Sequence, residues 1–281
     1  MGLVSVVVPA WNAARVLPEL LDALARQTAE HELVVVDAGS RDATAAIARA
    51  AGARVVAAPQ RNRSLARNIG VAAAQGDLIA FTDADCVPVS GWAGALASCL
   101  EASPLAAGPV RMVASTRPSG SERFDLLWRY PQERYVREAG VAASANLGCR
   151  REAFEAVGGY DPRFHHGEDA DLCLRAADAG FAIGWCPAAE VAHPAATRLR
   201  AVARRGFEHG ASARRLARAY PGRAGRRYWS SPGGLLRRGA PLRALSVEPV
   251  DDRGVELAAR VDYAARMAGS LWAEVARRAV R

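Results

Sequence analysis

The sequence predicts an α/β protein built on a doubly wound, mostly parallel sheet flanked by helices, with an Arg-rich helical extension toward the C-terminal end. Two observations lead to this prediction. Over the first hundred residues, short apolar runs alternate with segments of helical spacing, and the links between them are short. Such alternation is typical of strand–helix–strand units whose strands pair in parallel. Right-handed crossovers would then bring the carboxyl ends of the strands to one edge of the sheet.

The individual elements follow the hydrophobic pattern. Apolar runs bounded by polar residues indicate buried strands, and here they cover residues 4–8, 33–36, 55–58 and 78–82. Apolar residues at helical spacing indicate amphipathic helices, and here they cover residues 15–27, 42–51 and 64–74. Each predicted helix lies between two predicted strands, as a parallel sheet requires.

The second half of the chain is less regular in its pattern. Residues 115–140 are rich in Arg and aromatics, including Trp128, Tyr130 and Tyr135, and are interpreted as a long functional loop or lid. Residues 142–184 return to α/β character, and an amphipathic helix is expected over 255–280. The predicted domains are residues 1–197 and a basic, amphipathic helical extension over 198–281.

The charge is concentrated in one segment. The chain has 281 residues, a formal net charge of +8 and no Lys, so that all 37 basic residues are Arg. Residues 198–243 contain 13 Arg and one acid, Glu208, whereas residues 1–197 contain 18 Arg and 22 acids. The basic character therefore belongs to this segment and not to the predicted α/β domain.

The expected location is the cytoplasm, with a peripheral position at the inner face of the membrane as a further option. Five scattered cysteines without a C-x-x-C pair are interpreted as reduced core thiols. The N-terminal segment has no signal-like pattern, and no apolar run approaches the roughly 20 residues of a membrane-spanning helix.

A pair of acids gives the first indication of chemistry. The run LIAFT at residues 78–82 ends in Asp83 and Asp85. Side chains two positions apart in an extended chain point the same way, and open α/β sheets bind their ligands at the carboxyl ends of strands. Because Mg²⁺ uses one or two carboxylates together with substrate phosphates, these acids are candidate metal ligands. The alternative is a solvated turn after a strand.

The first two strands end in residues that suit a nucleotide. Pro9, Ala10, Trp11 and Asn12 follow the first strand, and Asp37 and Gly39 follow the second. A carboxylate can accept from a ring N–H or a hydroxyl, and a glycine lets the backbone approach a ligand. The alternative is a strand–helix link in which Ser40 or Asp42 caps the helix. The G-x-G-x-x-G and P-loop fingerprints are absent from the sequence, which argues against a dehydrogenase or a P-loop enzyme.

A second acidic cluster lies at an expected helix start. Glu168, Asp169 and Asp171 begin the segment EDADLCLR, where acids are also favoured by the helix dipole alone. A carboxylate on a rigid helix start is equally a good position for a general base. His193, after another short apolar run, is a candidate third metal ligand.

Taken together, these motifs resemble glycosyltransferase family 2, whose members have the GT-A fold. The resemblance rests on VSVVVPAWN, VVVDAGSRDAT, ARNIGVAAAQGDLIAFTDAD, ANLGCRREAFEAVGGYD, GEDADLCLRAADAG and AEVAH, and covers about residues 3–195 in the family's order. It implies transfer of a sugar from a nucleoside diphosphate donor, of UDP or GDP type, with inversion at the anomeric carbon and with Mg²⁺ or Mn²⁺ as the cofactor.

The resemblance also implies a role for each motif. Residues 9–12 and Asp37 would hold the nucleobase and ribose, and Arg67 would lie near the donor phosphates. Asp85 would be the more direct metal ligand of the D-x-D pair, with Asp83 nearer the ribose. Asp169 would be the catalytic base, with Glu168 beside it.

Two departures from the family pattern stand out in the sequence. Family members commonly have two adjacent acids where this chain has Asp37 followed by Ala38. The Q-x-x-R-W element of processive, polymerising members is also absent. The chain is therefore expected to add one sugar and release its product.

Three interpretations of the basic segment remain open at this stage. It is an ordinary solvated surface, or a face that rests on anionic lipid through its Arg residues with Leu235, Leu236, Leu271 and Trp272 on the apolar side, or a source of donor-phosphate ligands in Arg204 and Arg205. The lipid face would suit a lipid-linked acceptor. Nucleic acid is not expected as a partner, because the aromatics do not interleave with the Arg run.

Two other functions compete with sugar transfer. A non-catalytic nucleotide-sugar binder, or a membrane-surface partner, could use the same fold without needing a base at Asp169. A sugar-nucleotide pyrophosphorylase would need a Gly-rich basic loop after the first strand, and PAWNAARV supplies none.

Overall fold

The structure is a computed structural model that describes residues 2–128, 131–221 and 253–279. Tyr130, Leu235 and Leu236, named above on the basis of sequence, lie outside these residues. The side chain of Trp128 is likewise outside the described part of the chain.

Ten strands form two sheets in the described residues. Their bounds are β1 Val4–Ala10, β2 His31–Asp37, β3 Arg54–Ala57, β4 Leu78–Thr82, β5 Val87–Pro88, β6 Leu105–Ala107, β7 Val110–Val113, β8 Asn146–Arg150, β9 Ile183–Trp185 and β10 Val191–Pro194. The main sheet has the order β3-β2-β1-β4-β8-β6-β9, and a small sheet has the order β5-β10-β7. Strand β8 runs antiparallel to both β4 and β6, and the remaining pairs of the main sheet are parallel. The predicted fold class is confirmed.

The helices alternate with the strands as the sequence predicts. Their bounds are α1 Leu17–Ala25, α2 Thr44–Ala50, α3 Arg63–Ala73, α4 Trp92–Ala102, α5 Gly120–Trp128, α6 Gln132–Ala139, α7 Arg151–Ala156, α8 Glu168–Asp178, α9 Leu199–Ala219 and α10 Arg253–Ala279. Helix α3 approaches β1 closely at Gly70, where a Cβ would collide with the side chain of Val7. This contact brings α3, and with it Arg67, against the central strands.

The expectation of an irregular loop over residues 115–140 is wrong. Helices α5 and α6 occupy most of this range. The side chain of Glu122 accepts hydrogen bonds from the backbone N–H groups of Ser115 and Ser119, which closes the start of α5. Ser119 and Glu122 have the spacing of a capping box, a sequence signal for a helix start. Phe124 then packs with Val202 and Val255 in a buried cluster that the local sequence does not reveal.

The described chain divides into two compact units, residues 1–111 with 131–193, and residues 112–130 with 194–281. The first unit contains the main sheet. In the second, α5 packs against α10, and α9 and α10 lie side by side. The predicted amphipathic helix over 255–280 is present as α10, with Val280 outside the described residues. The domain division at residue 197 stays a prediction.

The expectation that all five cysteines are reduced thiols is wrong for two of them. Cys99 on α4 and Cys186 after β9 form a disulfide with their Cα atoms 6.1 Å apart, whereas Cys86, Cys149 and Cys173 are free and buried. The two partners are 87 positions apart in the sequence, so their spacing gave no sign of the pairing. Because disulfides are rare in reducing compartments, the cysteines no longer support a cytoplasmic location.

Candidate functional site

The carboxyl ends of β1, β2 and β4 lie along one edge of the main sheet, because these strands pair in parallel. The register places Ala10 of β1 opposite Asp37 of β2, and Val7 of β1 opposite Phe81 of β4. Asp83 and Asp85 follow β4 at this edge. The residues that follow the first, second and fourth strands are therefore neighbours at one edge, as the sequence predicted.

Asp83 and Asp85 have different partners. Asp83 accepts a hydrogen bond from Arg67 Nη2 at 3.0 Å, whereas Asp85 Oδ1 lies 3.8 Å from His193 Nε2. The prediction that both side chains point the same way rests on an extended chain, and the chain leaves that conformation after β4. Beyond Thr82 it forms a turn, in which the backbone N–H of Cys86 donates to the carbonyl of Asp83, and the alternation of a strand does not extend into it.

Arg67 joins the two acidic motifs. It is buried, with 2% of its surface exposed, and it donates from Nη1 to Glu168 Oε1 at 2.8 Å and from Nη2 to Asp83 Oδ1 at 3.0 Å. Its guanidinium also lies 5.4 Å from the centre of the Tyr160 ring. Among the described residues, none accepts a hydrogen bond from Nε. Both terminal nitrogens thus bind carboxylates, and a role of Arg67 at donor phosphates stays a prediction.

Positive charge governs the ionisation of Asp83. Burial raises the pKa of this carboxyl, but the nearby charges of Arg67, Arg63 and His193 outweigh it and hold the pKa below its usual range. Asp83 is therefore a carboxylate at neutral pH.

The acidic helix start is present as predicted. Helix α8 begins at Glu168, directly after Gly167, whose φ of 78° lies in the left-handed region that favours glycine. Glu168 is buried against Arg67, whereas Asp169 is partly exposed. Burial, followed by the adjacent negative charge of Glu168, raises the pKa of Asp169 to about 7. A carboxyl with a pKa near neutrality can both accept and release a proton at that pH.

Asp85, Cys86 and His193 form a cluster in which one potential ligand atom from each lies within 4.8 Å of the others. His193 is on β10 and is buried, and Asp85 is partly exposed. Burial, followed by the charges of Asp83 and Asp85, raises the pKa of the Cys86 thiol well above its usual range. The carboxylate of Asp85 is the oxygen donor of this cluster, and hard divalent cations prefer oxygen ligands.

Hydrogen bonds tie the loop after β1 to the loop after β2. The backbone N–H of Asn12 donates to Ser40 Oγ, and Asn12 Oδ1 accepts from the backbone N–H of Arg41. Asp37 Oδ1 in turn accepts from the N–H of Ser40. Asn12 has a φ of 48°, the one non-glycine residue with a positive φ in the described chain. Pro9 lies within β1, Gly39 lies in the loop after β2 with a φ of 78°, and the hydrogen bonds join the two loops.

Trp11 has a partner that the sequence did not indicate. Its ring is partly exposed and lies under the guanidinium of Arg61, 3.7 Å from the ring centre. Arg61 follows β3, two positions before α3 begins. Tyr160, which contacts Arg67, was also missed, because nothing in the sequence connects these two residues.

Comparison with known proteins is consistent with this geometry. The family model described as glycosyl transferase family 2 matches residues 5–158. The chain is 29% identical to glycosyltransferase AglE of Haloferax volcanii over 206 residues, which are 69% of this chain and 68% of AglE. It is 33% identical to the pre-mycofactocin glycosyltransferase of Mycobacterium tuberculosis over 232 residues, which are 78% of this chain and 48% of that protein. The chain thus spans about half the length of this second relative.

A solved structure has the same fold. The mannosyltransferase PcManGT from Pyrobaculum calidifontis, in complex with GDP-Man and Mn²⁺, aligns over 100% of this chain and 81% of its own, with a TM-score of 0.60 and 21% identity. The family match covers more than half of the 281 residues and includes both strand-end loops and the D-x-D pair. The chain therefore belongs to glycosyl transferase family 2, and its first unit is a glycosyltransferase domain with the GT-A fold.

Proposed function

We propose that this chain moves one sugar residue from a nucleoside diphosphate sugar to an acceptor hydroxyl, with inversion at the anomeric carbon and with Asp169 as the general base. The observation that carries the proposal is the ion-pair bridge through Arg67. One buried guanidinium contacts Asp83 of the D-x-D pair and Glu168, the neighbour of Asp169. Arg67 thereby fixes the proposed donor-binding acid, Asp83, relative to the start of α8, where the proposed base, Asp169, lies. Catalysis by positioning requires such a fixed arrangement.

The loops after β1 and β2 are the proposed nucleotide site. Asp37 at the strand end and the exposed ring of Trp11 offer a hydrogen-bond acceptor and a stacking surface. Pro9, Ala10, Asn12 and Gly39 shape the two loops, and Asp83 would face the ribose. UDP and GDP remain the two candidate nucleotides, and GDP-Man is what the similar mannosyltransferase binds.

Asp85 and His193 are the proposed cation ligands. The 3.8 Å between Asp85 Oδ1 and His193 Nε2 is less than twice the ligand distance of about 2.1 Å that Mg²⁺ requires, so one cation can contact both atoms. The carboxylate suits Mg²⁺ and Mn²⁺ alike, whereas imidazole is a ligand of transition metals, and the pair therefore favours Mn²⁺. A divalent cation held there supplies positive charge that stabilises the departing diphosphate. Asp83 is the weaker candidate ligand, since its Oδ1 is bound to Arg67.

Asp169 would act on the acceptor. As the acceptor oxygen forms its bond to the anomeric carbon, the bond from that carbon to the diphosphate oxygen breaks on the opposite face. The acceptor's proton passes to the Asp169 carboxylate and from there to water. Burial, and after it the adjacent Glu168 that Arg67 holds in place, raise the proton affinity of Asp169.

A lipid-linked acceptor and a cytoplasmic, membrane-peripheral location are also proposals. Among the described helices, none combines the length and the apolarity needed to cross a bilayer. Arg205 hydrogen-bonds to the buried Asp125, and Arg204 lies 3.9 Å from Glu208. The alternative in which both arginines bind donor phosphates would therefore require Arg205 to leave its present partner.

The test is a comparison of Asp169→Asn with Asp178→Asn, the same change at the exposed end of the same helix. Donor binding is measured by calorimetry with a panel of UDP and GDP sugars and Mn²⁺, and donor turnover by release of the nucleoside diphosphate. Loss of the base is expected to slow turnover by about 10²–10⁴-fold with unchanged donor binding, whereas Asp178→Asn behaves as the wild type. Equal turnover of both variants would remove Asp169 as the base. Donor binding without turnover in the wild type would favour a non-catalytic nucleotide-sugar binder.

A further inference from the structure

We propose that the paired helices α9 and α10 form a surface that docks onto an anionic lipid bilayer. The surface consists of Phe207, Met267, Leu271 and Trp272, with Arg215 beside them, and is called here the α9–α10 apolar surface. It belongs entirely to the second unit and does not depend on the chemistry proposed for the first.

The two helices approach each other closely because small residues line their contact. A Cβ on Gly210 would collide with the backbone of Arg266, and a Cβ on Gly269 would collide with the backbone of Phe207. Large side chains next to these positions cannot enter the contact, and they flank it instead. Phe207 of α9 and Trp272 of α10 meet in this way, with their ring centres 5.9 Å apart.

The apolar surface is exposed although the same helices have a core of their own. Val202, Val255, Ala258 and Ala259 are buried with Phe124 of α5. In contrast, Leu271 is 66% exposed, Met267 is 51% exposed and Trp272 is 49% exposed. Met267 and Leu271 are four positions apart and therefore share one face of α10. Contiguous exposed apolar side chains of this kind mark an interaction site.

The positive charge around this surface favours an anionic bilayer as its binding partner. Helix α9 contains six Arg and one acid, Glu208, and Arg215 lies 5.9 Å from the Trp272 ring. Like charge therefore opposes coverage of this surface by the same surface of a second copy of the chain. An anionic bilayer, in contrast, attracts each of these cations.

The side-chain types also match a bilayer interface. Trp is enriched at the level of lipid headgroups, where its ring is partly apolar and its N–H stays hydrated. Arg can lay its methylenes along the apolar layer while its charge stays in water. Leu271 and Met267 would enter the acyl boundary, as the apolar face of an interfacial helix does.

Flotation of the full-length protein with vesicles tests the proposal. Vesicles of phosphatidylcholine alone are compared with vesicles that contain 30% phosphatidylglycerol (about one anionic lipid in three), each at low and high salt. The wild type is expected to float with the anionic vesicles at low salt, to lose this binding as salt is raised, and to stay unbound with phosphatidylcholine. Equal behaviour with both vesicles would overturn the proposal.

Substitutions on α10 test whether the α9–α10 apolar surface is the part of the protein that contacts lipid. Leu271→Ser is expected to weaken partitioning of the protein onto anionic vesicles about tenfold. The reason is that the serine loses the transfer free energy that a leucine side chain gains when it leaves water for the acyl layer. The matched control is Leu126→Ser on α5, since Leu126 is also exposed, at 46%, and lies on a helix that is not part of the surface. Both positions are exposed, so the fold is retained, which circular dichroism checks. If the two variants float alike, or if Leu271→Ser only converts a dimer to a monomer, the surface does not bind lipid. Trp272→Phe should also remove the blue shift of tryptophan fluorescence that vesicles induce.

Discussion

Arg67 and Glu168 form a buried ion pair of 2.8 Å between residues 101 positions apart in the sequence. Their side chains are 3% and 6% exposed. The same guanidinium also pairs with Asp83, so one arginine compensates two carboxylates in the first unit. This arrangement positions the D-x-D motif relative to the start of α8, and it leads to a direct test of stability.

Arg67→Ala is expected to lower the free energy of unfolding by about 3–5 kcal/mol, because it leaves a buried carboxylate without its partner. Urea unfolding followed by circular dichroism measures this loss. The control is Arg163→Ala, which removes an exposed arginine paired with Asp161 and should have no measurable effect. Equal stability of the two variants would show that the bridge through Arg67 does not hold the site together.

Asp169 is expected to make the stability of the protein depend on pH. Because burial and Glu168 raise its pKa to about 7, the folded protein holds this proton at pH values where the unfolded chain, with a pKa of about 3.9, has lost it. The contribution of Asp169 to the free energy of unfolding is therefore fully present below about pH 4 and is lost as the pH rises to about 7. Asp169→Asn should be more stable than the wild type at pH 8, and the difference should vanish near pH 4.

The same titration should appear in turnover. Only the deprotonated Asp169 can accept the acceptor's proton, so the rate of sugar transfer is expected to rise with pH through about 7 and then to level off. The measurement is turnover at saturating donor and acceptor between pH 5 and pH 9. A profile that is flat from pH 5 upward would mean that the base is a group with an ordinary carboxyl pKa.

Removal of a proposed cation ligand should weaken Mn²⁺ binding in the absence of any substrate. Changes to residues that hydrogen-bond to a metal ligand cost about 10–100-fold in metal affinity, and loss of a direct ligand should cost at least as much. Asp85→Ala and His193→Ala are compared with Asp77→Ala, an exposed acid before β4, by titration of Mn²⁺ followed by electron paramagnetic resonance. If all three variants bind Mn²⁺ alike, the cation is not held by Asp85 and His193.

The disulfide between Cys99 and Cys186 should be measurable both as a thiol count and as stability. Three thiols are expected to react in the denatured, unreduced protein and five after reduction. The double variant Cys99→Ser, Cys186→Ser should lose about 2–4 kcal/mol of unfolding free energy, because the bond restricts the unfolded chain. Five reactive thiols without a reductant would contradict the pairing.

Local patterns in the sequence predicted the parts of this protein that depend on neighbours along the chain. The apolar runs at residues 4–8 and 78–82 became β1 and β4, and Glu168 and Asp169 begin a helix as expected. The strand-end positions of Asp37, Asp83 and Asp85 followed from the same pattern. The strand itself ends at Thr82, and a turn follows it.

The sequence by itself determined the α/β fold class, the main-sheet strands β1 to β4 and the edge at which the acidic residues gather, since these depend on hydrophobic spacing over a few residues. Only the tertiary structure decided that Arg67 binds Glu168 as well as Asp83, that His193 lies beside Asp85, that Phe124 packs with Val255 and that Cys99 pairs with Cys186. These relationships join residues far apart in the chain. Packing and charge in the folded protein select them, and no local periodicity carries that information.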